Sequence, residues 1–166
     1  MRDYILELVD KYRAGGILID TNLLLLLFVG GFKPKLIGKF KRLSTYVPED
    51  YVTLTNFIAR FKSTLTTPNI LTEVSNLAGQ LKGKDRVECF SNFSNQLTVF
   101  TEFYIESCKA ASEVAFPKLG LTDAAITILA REQHLVLTDD FSLYQRILGA
   151  GFDAINFNHI RTLYWE

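Results

Sequence analysis

Five carboxylates stand where an α/β chain can put acids to work. Asp20 ends the apolar run Ile17-Leu18-Ile19 and is followed by Thr21-Asn22. Asp139 and Asp140 end a second such run, Leu135-Val136-Leu137-Thr138. Asp123 follows Thr122 where a helical pattern begins, and that helix feeds the second run. Glu73 lies shortly after Pro68, early in another helix and at the rim of its apolar face. If the two buried runs are neighbouring parallel strands, Asp20 and Asp140 stand side by side at one sheet edge. Asp123 and Glu73 can then point into the same hollow. Four carboxylates there repel strongly unless something compensates. One or two Mg²⁺ or Mn²⁺ ions do so, being hard cations that take oxygen ligands. Two such ions about 3.5–4 Å apart polarise a phosphodiester, activate water and stabilise the leaving oxygen. Carboxylates hold the metals in that chemistry, threonine and asparagine orient them, and no side-chain nucleophile is needed.

Each acid also has a simpler reading. Asp20, Asp123 and Asp140 can each cap a helix or sit in its first turn, which is favourable by about 0.3–2 kcal/mol. Glu73 alone is an early-helix glutamate. Thr21, Asn22, Thr122 and Thr138 offer neutral caps at the same places, which makes the carboxylates surplus to the helices and useful to a cation.

The scaffold that must position these acids reads as alternating strands and helices. An amphipathic helix carries Tyr4, Ile5, Leu8, Val9 and Tyr12 and stops at Gly15-Gly16. A strand over Ile17 to Asp20 leads into a leucine-rich helix, broken at Gly30-Gly31 and by Pro34. Helices are predicted over Lys35 to Ser44 and Tyr51 to Thr64, with Pro48-Glu49-Asp50 as the turn between them. Thr67-Pro68 starts a helix that Gly83 ends. Further helices are predicted from about Val87 to Thr101 and from Tyr104 to Ala115, then a loop at Pro117 and Gly120. A helix from Thr122-Asp123 through Gln133, a strand over Leu135 to Thr138, a helix over Phe141 to Leu148 and a last strand over Ala154 to Phe157 complete the chain. This alternation predicts a parallel α/β sheet.

The 166 residues suit one domain, and 48% apolar with 13% aromatic residues supplies a core and excludes a disordered chain. The 18 basic and 18 acidic residues cancel. Their distribution is uneven: residues 1–86 hold 13 basic and 8 acidic side chains, residues 87–166 hold 5 and 10. Lys33, Lys35, Lys39, Lys41 and Arg42 cluster with no acid among them. A basic lobe facing an acidic one suits an enzyme that holds a polyanion and chelates cations; a solvated helix face explains it equally well. Cys89 and Cys108 have no CxxC spacing, so neither a zinc site nor a disulfide framework is expected, and a reducing cytoplasm is. His134 and His159 lack partners at useful spacing and read as structural. No signal peptide is expected, because Met1-Arg2-Asp3 lead into an amphipathic helix, and no membrane span, because Asp20, Thr21 and Asn22 interrupt the apolar run from Ile17 to Val29.

With these residues in view, the chain resembles the PIN-domain nucleases, a fold shared by VapC-type toxin ribonucleases and RNA-processing enzymes. The resemblance is carried by Ile19-Asp20-Thr21-Asn22, Thr72-Glu73-Val74, Leu121-Thr122-Asp123-Ala124-Ala125 and Leu137-Thr138-Asp139-Asp140, in that order. It implies a three-layer α/β/α sandwich around a central parallel sheet of four or five strands. It also implies one domain over 1–166, with an N-terminal helix (about 1–15) and a helical insertion (about 33–64) that the small toxins lack. The activity implied is Mg²⁺- or Mn²⁺-dependent hydrolysis of RNA, leaving a 5′-phosphate and a 3′-hydroxyl. Asp20, Glu73, Asp123 and Asp140 then map onto the catalytic metal ligands, and Asp20 lies between the two ions. Asp139 is a second ligand or a bystander, and Thr21, Asn22 and Thr138 are supporting polar groups. Lys33, Lys35, Lys39, Lys41 and Arg42 are candidates for the RNA backbone. A cognate antitoxin and a homodimer are the partners such relatives have. The alternative is a PIN module that binds RNA or protein without cleaving. A response-regulator receiver fits less well, because only one acid follows the first strand and no strand ends in lysine.

Overall fold

The computed structural model describes residues 1–164. Five short strands, β1 (Ile17–Ile19), β2 (Thr64–Thr66), β3 (Phe100–Glu102), β4 (Leu135–Thr138) and β5 (Ala154–Asn156), form one sheet in the order β3-β2-β1-β4-β5. Every pairing is parallel. The central strands β1 and β4 pair Ile17 with Leu135, Leu18 with Val136 and Ile19 with Leu137. Both are buried along their whole length. That is why they are unbroken apolar runs rather than alternating ones. Edge strand β3 is largely exposed.

The helices are α1 (Arg2–Tyr12), α2 (Thr21–Phe32), α3 (Pro48–Ile58), α4 (Pro68–Ala78), α5 (Gly83–Leu97), α6 (Ser107–Ala111), α7 (Phe116–Arg131), α8 (Phe141–Gly149) and α9 (Phe157–Tyr164). Right-handed crossovers send α2, α4 and α5 to one face of the sheet and α7 and α8 to the other. The packing agrees: α2 lies against α3, α4 and α5, and α7 against α6 and α8. The result is a three-layer α/β/α sandwich. Helix α2 is apolar all round because Leu23 to Val29 are buried on every side. No helix among the described residues is long and apolar enough to cross a membrane.

The chain leaves β1 toward β2 on one side of the sheet and leaves β4 toward β5 on the other. The C-terminal ends of β1 and β4 are therefore a topological switch point, where open α/β sheets form a crevice.

Several elements differ from the sequence reading. The predicted helix over Lys35 to Ser44 is two single 3₁₀ turns, Pro34–Leu36 and Lys41–Leu43. Gly38 separates them with φ +79, a left-handed backbone that ends helical winding. Helix α3 starts at Pro48 and stops at Ile58, so Thr64 belongs to β2 and not to a helix. Strand β3 occupies what reads as a helix end, and only Ser107–Ala111 of the next predicted helix is helical. Gly83 opens α5 instead of closing α4. Pro117 lies in the first turn of α7, whose axis breaks at Gly120 (φ 72), so the helical run carrying Thr122 and Asp123 starts afresh there. The last strand ends at Asn156, and α9 follows it directly.

Candidate metal centre

Asp20 is the best-determined acid at the switch point. Its backbone N–H extends the ladder by donating to Leu137 O at 3.1 Å. Its side chain is only 5% exposed. Oδ1 accepts from the Leu23 N–H at 3.0 Å and so caps α2. Oδ2 accepts from the Thr138 hydroxyl and from the Asp139 N–H, the latter at 3.1 Å. The Thr138 hydroxyl in turn accepts from the Asp140 N–H at 2.9 Å. Thr138 thus ties the end of β4 to the end of β1 through both of its hydrogen-bonding capacities. Burial pushes the Asp20 carboxyl up to about 8, and the Asp139 charge adds to it, against the opposing pull of Thr138, Leu23 and Asp139 donors.

Asp139 and Asp140 divide two roles. Asp139 turns toward Asp20, and its carboxylate accepts from the Asn22 side-chain amide at 3.2 Å and from the Tyr46 hydroxyl. Tyr46 is 3% exposed and lies between the second 3₁₀ turn and α3. Burial raises its hydroxyl pKa, and the Asp139 charge raises it further. Asp140 is exposed and caps α8, accepting from the Leu143 N–H at 3.0 Å.

Glu73 is exposed on α4 and spans the hollow from the other side. Its Oε2 accepts from the Thr21 hydroxyl at 2.8 Å and its Oε1 from the Thr122 hydroxyl at 2.6 Å. Asp123, half-buried on α7, is pushed up to about 6 by burial, then by the Asp140 and Glu73 charges, with Arg146 opposing. A continuous line of contacts and repulsions therefore runs from Asp139 through Asp20, Thr21, Glu73 and Thr122 to Asp123 and Asp140. An open hollow of about 300 Å³ adjoins it, lined by Pro68, Asn69, Thr72, Glu73, Leu121 and Thr122.

The donor set is all carboxylate and hydroxyl oxygen, which suits Mg²⁺ or Mn²⁺ and not a soft metal. Two of its acids carry raised pKa values, through burial first and the charge of neighbouring carboxylates second. Among the described residues, no three His, Cys, Asp or Glu side chains converge closely enough to share an ion in this arrangement. Hydroxyls hold Glu73, and its own helix holds Asp140.

The basic cluster is not uniform. The Lys33 ammonium is bound to Asp85 at 2.7 Å. Lys35, Lys39, Lys41 and Arg42 are exposed on the 3₁₀ segment and form no ion pair among the described residues. Cys89 is a buried free thiol and Cys108 an exposed one. His134 packs against the Phe103 ring at 4.6 Å.

Two corrections follow from this geometry. The neutral residues do not replace the acids as caps: Asp20 and Asp140 are themselves the N-caps of α2 and α8. The acid whose main chain reaches Asp20 at the strand ends is Asp139, one residue nearer the sheet than the expected Asp140: its N–H binds Asp20 directly, while Asp140 caps α8. Tyr46 was not legible as a site residue; a buried tyrosine needs a hydroxyl partner, but nothing near it in sequence names Asp139. Compared with known proteins, the chain matches no family model and no curated protein.

Proposed function

We propose that this chain is a divalent-cation-dependent endoribonuclease of the PIN type. The observation that carries the reading is the acidic line at the switch point, in which Asp20 and Asp123 are held at raised pKa by burial and neighbouring carboxylates. Asp20, Glu73, Asp123, Asp139 and Asp140 would supply the oxygen ligands for Mg²⁺ or Mn²⁺. A bound cation supplies charge that stabilises the phosphate oxygens and acidifies water for attack on phosphorus. The chain's own contribution is positioning. Leu23 N–H, Thr138 and Asp139 N–H fix both oxygens of Asp20, while Thr21 and Thr122 fix Glu73. Lys35, Lys39, Lys41 and Arg42 draw the RNA backbone by charge, so binding weakens with salt.

The test is cleavage of single-stranded RNA by purified protein with Mn²⁺, beside Asp20→Asn. Wild-type cleavage that Asp20→Asn and EDTA both abolish is the expected result. Undiminished cleavage by a folded Asp20→Asn protein overturns the mechanism. A second reading, a PIN module that binds without cleaving, is favoured by the absence of three converging acids among the described residues. Calorimetry separates the two: Mn²⁺ binding that Glu73→Gln weakens supports the enzyme, and no Mn²⁺ binding by either protein supports the module.

A further inference from the structure

Asp139 presents a physical problem that the acidic centre alone does not solve. Its carboxylate sits on a half-buried loop beside the buried Asp20, and both groups are acids. A carboxylate with free χ angles would turn to solvent and away from its neighbour. Two neutral donors hold it instead: the Asn22 amide on one oxygen and the Tyr46 hydroxyl on the other.

Asn22 is exposed, whereas Tyr46 is a rigid anchor. Its N–H binds Leu43 O at 3.1 Å. The Arg161 guanidinium lies 5.9 Å from the ring centroid. That guanidinium is itself fixed by the fully buried Asp50 at 2.8 Å and by Thr45 O at 3.3 Å. A chain of contacts thus runs from α9 and α3 to the carboxylate at the end of β4. The chemistry of the donor matters. A lysine or arginine in the same place would neutralise Asp139 and compete with a cation. A phenol directs the carboxylate and leaves its charge.

We infer that Tyr46 is a positioning residue: its hydroxyl holds Asp139 beside Asp20 and thereby raises the affinity of the acidic centre for a divalent cation. This rests on the proposed cation dependence. Tyr46 acts through Asp139, the carboxylate its hydroxyl binds. The segment that carries it also carries Lys39, Lys41 and Arg42, so the same bond fastens the basic strip to the acidic rim.

The experiment is a double-mutant cycle on Mn²⁺ affinity, measured by calorimetry with Mn²⁺ alone and the intact chain. Tyr46→Phe keeps the ring and removes the hydroxyl; an outer-shell partner of this kind is worth about 10–100-fold in metal affinity. The expected result is a loss of at least about tenfold in Tyr46→Phe, and less than about twofold when the same change is made in Asp139→Asn. A structural role for Tyr46 predicts equal losses in both backgrounds, and that outcome overturns the inference. Asn22→Ala, an exposed change that removes the other hydrogen bond, serves if Tyr46→Phe fails to fold; its Mn²⁺ affinity falls in the wild-type background and not in Asp139→Asn. Wild-type affinity in Tyr46→Phe, with binding lost in Asp20→Asn, sinks the role of Tyr46 and leaves the nuclease reading standing. No Mn²⁺ binding by the wild type sinks both.

Discussion

Replacing Asp20 with asparagine stabilises the cation-free protein at alkaline pH, although the residue is buried and fully hydrogen-bonded. The folded Asp20 carboxyl titrates at about 8 against an ordinary 3.8. A raised acid binds its proton more tightly in the folded chain than in the unfolded one. Stability is therefore greatest below pH 3.8 and falls as pH rises through that window toward 8. At about 1.36 kcal/mol per pH unit the loss is about 2 kcal/mol by pH 5 and about 5 kcal/mol by pH 8. Asparagine escapes that loss. Its oxygen can still cap α2, but its NH₂ faces the Asp139 N–H, and the mismatch costs about 1–3 kcal/mol at any pH. The two proteins are thus nearly equal near pH 5 in EDTA, and Asp20→Asn leads by about 2–4 kcal/mol at pH 8. For a chain of this length that is roughly 6–12 °C in Tm. Urea unfolding from pH 5 to 8.5 in EDTA measures it, and Mn²⁺ should then stabilise only the wild type. A variant less stable than wild type by the same amount at every pH refutes the claim that Asp20 is a strained charge.

Three other outcomes bear on the same centre. Thr138→Val removes the hydroxyl that serves both Asp20 and Asp140, and should cost about 1–3 kcal/mol by urea unfolding at pH 7, because the buried Asp20 oxygen loses a donor. Glu73→Gln is exposed, so its unfolding free energy in EDTA should stay within about 0.5 kcal/mol of wild type while Mn²⁺ ceases to raise its Tm. The triple change Lys39→Ala, Lys41→Ala, Arg42→Ala removes three cations that form no ion pair among the described residues; the slope of log affinity for single-stranded RNA against log salt should shrink by about 2, and an unchanged slope excludes the strip from the interface.

The parts of the fold that the sequence announces are those where burial imposes a pattern. Strands β1 and β4 lie at the centre of the sheet and must be apolar on both faces, so Ile17–Ile19 and Leu135–Thr138 are visible as runs. Strands β2 and β3 are three residues each, Thr64-Leu65-Thr66 and Phe100-Thr101-Glu102. Pairing with a neighbouring strand decides their state, and such short polar segments carry no period of their own. The segment 35–44 has helical composition, but Gly38 in a left-handed conformation cuts it into 3₁₀ turns. At the site, the acids themselves were legible because they end buried strands or open helices. Which of Asp139 and Asp140 turns toward Asp20 was not, since the answer depends on Tyr46, 93 residues away in the chain.

Capping and cation binding are often weighed as rival explanations of an acid at a strand end, and the geometry here shows that the first does not exclude the second. A carboxylate has two oxygens. In Asp20 one is spent on the Leu23 N–H of α2, and in Asp140 one is spent on the Leu143 N–H of α8. Each cap fixes the side chain's direction, and the positive end of the helix dipole offsets part of the repulsion between neighbouring acids. Without it, carboxylates from β1, β4 and α7 gathered at one edge would swing apart. Asp123 shows the limit of this compensation. It accepts no capping bond among the described residues, and burial, then the charges of Asp140 and Glu73, leave it with a raised pKa. The caps therefore help hold the acidic edge together, and the repulsion they leave is what the proposed hard cation would neutralise.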